Sequence, residues 1–170
     1  MTTTERAMPP LQADERTTLE SWLDFYRATL VTKCDGLADE QLRTASVPPS
    51  PLTLLGLVQH MAEVERNWFR RVLLGEQVAP LFDPDADPSG PDGGFRPTED
   101  IGFATARATW EGEIAQARAN CSGRGLDETS SFMGGQVTLR WIYTHMIAEY
   151  ARHAGHADLL RERIDGVTGV

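Results

Sequence analysis

Four separate segments of this chain repeat apolar residues at the three-and-four spacing of an α-helix, and connectors rich in proline, glycine or polar residues divide them. Such a pattern leaves helix packed on helix as the way to bury the apolar faces. The first helix runs from about 13 to 34, with Leu19, Trp22, Leu23, Tyr26 and Leu30 on one face and Gly36 placed to stop it. A short helical turn at most follows before Pro48, Pro49 and Pro51 force an extended connection. Thr53 is the expected N-cap of the second helix, which reaches Gly75 along a stripe of Leu54, Leu57, Val58, Met61, Val64, Trp68 and Val72. Thr98 is the expected cap of the third, whose weaker face is Ile101, Ala104, Ala108, Trp110, Ile114 and Ala117, and which ends at Cys121. The fourth starts after Thr138, buries Trp141, Ile142 and Met146, and ends near Gly166.

The connectors are less regular. Residues 77–97, which include FDPDADPSGPDGGFRP, have no apolar periodicity and read as a solvated acidic loop or a lid. The aspartates there lack the spacing of an EF-hand calcium loop. Between Cys121 and Thr138 there is room for a short extended segment around Phe132. The expected architecture is therefore all-α: a four-helix bundle with a long irregular loop between its second and third helices. One domain is expected over 1–170, with 1–12 as a flexible tail.

Composition narrows the function. A net charge of −9 opposes binding to phosphate backbones, so nucleic acid is not an expected partner. No run approaches the ~18 apolar residues of a membrane span, and the N-terminus lacks a basic stretch followed by an apolar one. A cytoplasmic location is the default expectation. Cys34 and Cys121 belong to no thiolate-ligand pattern and read as small hydrophobes, and Trp22, Trp68, Trp110 and Trp141 read as core residues.

The histidines are distributed unevenly. His145, His153 and His156 share a polar stripe with Glu149 on the fourth helix, and His60 lies beside the apolar stripe of the second. Two ligands four residues apart stand one turn apart on one face, so a residue from a facing helix can complete a three-ligand metal site with an open position. Three adjacent pairs could share one ion: His145 with Glu149 and Glu149 with His153, each four apart, and His153 with His156, three apart.

The segments LLGLVQHMAEVERNWF and HMIAEYARHAGHADLLRERIDG resemble the corresponding helices of the DinB-like superfamily of metal-binding four-helix proteins, closest to the actinobacterial branch related to mycothiol-dependent maleylpyruvate isomerase. The resemblance implies a metal held by His60, Glu149 and His153. Most of the superfamily has His at the first position of the last-helix pair. Glu149 departs from that pattern but agrees with the mycothiol-dependent isomerase group, whose metal is similarly held by two His and one Glu. His145 and His156 then fall just outside the ligand set, as partners of the ligands or a proton shuttle.

The resemblance implies a metal-dependent transferase or isomerase that uses a small thiol, mycothiol, against an electrophilic substrate. The alternatives are a metal-dependent hydrolase working through the same centre, or a non-catalytic metal-binding or stress-response protein of the same fold. A divalent metal is the expected cofactor: zinc first, with nickel, cobalt, manganese or iron also suited to the donors. A homodimer through helix faces is a further expectation.

Overall fold

Every residue from Leu54 to Glu65 is buried, so the second long helix lies in the middle of the protein with neighbours on all sides. The computed structural model describes residues 6–81 and 93–169. The order along the chain is α1 (Glu15–Cys34), α2 (Asp39–Leu42), α3 (Leu54–Arg66, continued by a π-helical stretch Asn67–Val72), α4 (Phe103–Cys121), β1 (Thr129–Phe132), β2 (Gly135–Thr138) and α5 (Leu139–Asp165). The chain is thus mostly helical, and the expected all-α class gains a small two-stranded sheet. α3 packs most extensively on α4, and α1 on α5, with α3 also touching α5 and α1.

The polar residues inside α3 all have partners, which is the condition for burying them. Gln59 exchanges hydrogen bonds with Thr98, Glu63 accepts from Arg71 and the Leu81 amide, and Glu65 receives a two-pronged Arg27. Tyr150 donates to the same Glu65 at 2.6 Å and accepts from Trp110 Nε1 at 2.8 Å. One buried network therefore ties α1, α3, α4 and α5 together and fixes α5 against α3. In the π-helical continuation, whose hydrogen bonds span five residues, the consecutive Trp68 and Phe69 are both buried. Trp68 meets Phe132, Trp141 and His145, while Phe69 meets Tyr143.

Local signals set most boundaries. Asp14, Thr53 and Thr138 cap α1, α3 and α5 by accepting from the amides of Thr17, Gly56 and Trp141. Gly36 and Gly166, both left-handed, follow the ends of α1 and α5. The third long helix differs from expectation. Thr98 is held by Gln59 and closes a turn with Ile101, so α4 begins only after Gly102, and Asp39 of α2 accepts from the Phe103 amide in place of a local cap. Its buried face is Ala106, Trp110, Glu113, Ile114, Ala117 and Cys121; Ala104 and Ala108 face solvent.

Two further expectations change. The extended segment around Phe132 is one arm of an antiparallel hairpin turned by Met133 and Gly134, both at positive φ, which matches the right-handed twist of paired strands. Of the four tryptophans expected in the core, Trp68 and Trp110 are buried there, whereas Trp22 is only half-buried outside the core cluster and Trp141 is 47% exposed. The irregular connection over 77–97 has no helix or strand where it is described; its acidic centre, 82–92, lies outside the described residues, as do residues 1–5 of the expected tail. Of the described part of that tail, Pro9 is buried and the Arg6 guanidinium lies over the Phe25 ring, while Met8 and Leu11 are largely exposed.

Candidate metal centre

Four residues make slightly more than one turn, so Glu149 and His153 stand on one face of α5, and that face is turned toward α3. His60, six residues into α3, meets them there. One ligand atom from each of His60, Glu149 and His153 lies within 4.8 Å of the other two. His153 Nε2 is 3.4 Å from Glu149 Oε2, and the two imidazole centroids are 4.8 Å apart at 66°. His60 and His153 are buried, while the Glu149 side chain is 13% exposed. Of the three pairings the sequence allows, the structure joins Glu149 and His153 with His60.

Each imidazole is held by its other nitrogen. His60 Nδ1 is 3.2 Å from the Gly93 carbonyl, which can only accept, so Nδ1 carries a proton and leaves Nε2 as the nitrogen available to an ion. The Phe95 ring lies flat on His60 at 3.8 Å and 16°. This contact depends on two glycines. A Cβ on Gly56 would collide with the Phe95 carbonyl, and one on Gly94 would sit 2.8 Å from the His60 amide nitrogen. Gly94 also has φ +94°, a conformation that disfavours any side chain. Because both lack a Cβ, the end of the long loop lies directly on the α3 backbone and grips His60.

On α5, His153 Nδ1 is 3.3 Å from His156 Nδ1. His156 therefore touches the ring edge remote from Glu149 and stands outside the group of three converging residues. Burial, helped by the neighbouring His60, His156 and Arg152, pushes His153 down to about 3. It is neutral near pH 7, as a metal ligand must be. Glu149 Oε1 receives Arg152 at 3.1 Å and lies 3.9 Å from His145 Nε2. His145 itself is packed against Trp141, centroids 5.0 Å apart and 6° from parallel, and 4.3 Å from Trp68.

The donor set fits a divalent transition ion: two imidazoles and a carboxylate converge, and each ring is braced from behind. Sequence reasoning missed the brace on His60. The signal was the Gly93-Gly94-Phe95 run, in which glycines that permit close backbone approach precede an aromatic ring. A cavity of ≈730 Å³, lined by Glu20, Arg27, Cys121 and Tyr143 among others, contains none of the three donors. Burial raises the Cys121 thiol, so this cavity holds no ready thiolate.

A mostly helical chain that gathers two imidazoles and a carboxylate from facing helices defines a class of protein with a candidate three-donor metal centre. This chain belongs to the mycothiol S-transferase family, whose model matches residues 18–166 and so includes all three donors, in agreement with the resemblance noted from the sequence. No curated protein matches the chain. Among the described residues, no helix is long and apolar enough to cross a membrane.

Proposed function

We propose that the chain is a metal-dependent S-transferase that joins mycothiol to an electrophilic substrate, with His60, Glu149 and His153 holding the ion. The four long helices then form the four-helix bundle of the DinB-like fold. The convergence of one donor atom from each residue within 4.8 Å carries the reading. With nitrogen and oxygen donors and no cysteine, zinc is the first candidate, followed by nickel, cobalt, manganese or iron. A divalent ion held there supplies Lewis acidity that lowers a thiol's pKa and maintains the thiolate near neutral pH.

The protein's own groups do the rest. Gly93 and His156 fix which nitrogen of each imidazole faces the centre, and Phe95 shields His60 from water. Arg152 and His145 flank Glu149 and orient its carboxylate. The thiolate sulfur forms a bond to the electrophilic carbon, and the leaving group departs with the electron pair of the broken bond. Neither protein thiol competes: Cys34 is buried and raised to about 12, and Cys121 is buried and raised.

Calorimetry tests the proposal. Mycothiol should bind metal-loaded protein more tightly at pH 7.5 than at pH 5.5, roughly tenfold or more, because the ligand is thiolate. Metal-free protein and Glu149→Ala should lose most of that binding. A heat of binding unchanged by metal removal would leave a non-catalytic protein as the better reading.

A further inference from the structure

α3 and α5 run antiparallel past the three donors, and the same faces that carry them continue toward the hairpin. Trp68 stands eight residues after His60 on the π-helical continuation of α3, and Trp141 eight before Glu149 on α5, about 12 Å along each axis at ~1.5 Å per residue. The two indoles meet, with centroids 5.3 Å apart. His145 fills the interval: its ring lies parallel to Trp141 at 5.0 Å, and its Nε2 is 3.9 Å from Glu149 Oε1. Phe132 of β1 closes the far side, 5.1 Å from Trp68. Aromatic surface therefore runs without a break from the hairpin to a carboxylate of the donor set.

This surface is open. Trp141 is 47% exposed and Met133, at the hairpin tip, is 90% exposed, although neighbouring α5 positions bury Ile142, Tyr143 and Met146 completely or nearly so. Exposing large apolar side chains beside a site marks a place where something apolar binds. The geometry points to a platform on Trp141, bordered by Trp68 and Phe132, that holds the flat aromatic or apolar part of the electrophilic substrate while its reactive carbon reaches the centre. Mycothiol, a hydroxyl-rich sugar thiol, suits this surface less well, because the Trp141 indole offers a single hydrogen-bond donor and no acceptor. The S-transferase reading supplies the identity of the occupant; the platform itself stands on the aromatic geometry.

The test uses the full chain and acetophenone, an unreactive aryl ketone, followed through the indole N–H signals in proton–nitrogen NMR spectra. Acetophenone should shift the Trp141 signal saturably in both metal-loaded and metal-free protein, while acetone should not. Trp141→Ala should weaken acetophenone binding about tenfold, the scale of one aromatic stacking contact, and Trp141→Phe should retain most of it. The three remaining indole signals report whether each variant is folded. Metal-free protein that still binds acetophenone separates this inference from the metal reading. Absence of a saturable Trp141 shift, equal binding of acetone, or a Trp141 shift produced instead by methyl glucoside would overturn it.

Discussion

Replacing Gly94 by alanine probes the grip on the candidate centre without touching any donor. The added Cβ would lie 2.8 Å from the His60 nitrogen, 2.9 Å from the Gln59 carbonyl carbon and 3.0 Å from the His60 Cα, all backbone atoms of a buried helix that cannot yield. The loop must lift instead. His60 then loses the Gly93 carbonyl on Nδ1 and the Phe95 ring on its face. Loss of such an orienting partner typically weakens a metal site about 10- to 100-fold, or roughly 1.4–2.8 kcal/mol of binding. An alanine at φ +94° adds a backbone term of about 1–3 kcal/mol to folding stability. Gly75→Ala is the matched control, because Gly75 also has positive φ (+69°) but nothing within 4 Å of its Cβ position. Zinc affinity is read by competition with a chromogenic chelator, and stability by urea unfolding. Both variants should lose stability, and only Gly94→Ala should lose zinc affinity. Equal zinc affinity in the two would refute the claim that the loop positions His60.

Other expectations follow from named contacts. His153→Ala should abolish most zinc binding, whereas His156→Ala, which removes only the Nδ1 partner, should weaken it about tenfold; zinc titration that shows equal losses would make His156 a ligand. His153 titrates near 3 in the fold against about 6.5 when unfolded, so the unfolded chain binds the extra proton first. Metal-free protein should therefore lose stability as pH falls from about 6.5 toward 3, and urea midpoints at pH 7 and 4.5 should show a smaller loss in His153→Gln. Arg27→Met should cost about 3–5 kcal/mol in urea unfolding, since it leaves Glu65 charged and buried with only Tyr150 on it. Cys34, raised to about 12 by burial, should resist a disulfide-exchange reagent at pH 8 until the chain unfolds. Because the unfolded thiol ionises near 9, its burial also makes stability decline as pH rises above that value.

What could be read from the sequence was what depends on local spacing. Glu149 and His153 share a face because they are four apart, and the caps at Thr53 and Thr138 act within three residues of themselves. His60 was legible as a candidate by its place beside an apolar stripe; its meeting with α5 required the helices to pack antiparallel. Features that depend on distant partners were not visible. Thr98 looks like a cap, but Gln59, 39 residues earlier, takes it, and Asp39 serves the α4 terminus from across the fold. Glu63, Glu65 and Glu113 look like surface charges until Arg71, Arg27 and Arg66 are found against them. The hairpin's two four-residue arms are too short to show an alternating pattern, and Trp141 is apolar at helical spacing yet faces the hairpin and solvent.

The central claim is that His60, Glu149 and His153 hold an ion that receives a thiol. X-ray absorption at the zinc edge, on protein loaded with one equivalent of zinc, addresses it directly. Before mycothiol is added, the spectrum should contain only nitrogen and oxygen neighbours, with two imidazole signatures; afterwards one sulfur neighbour should appear, and it should be absent in Glu149→Ala. A spectrum that mycothiol leaves unchanged, or a zinc ion with fewer than two imidazoles, would contradict the account.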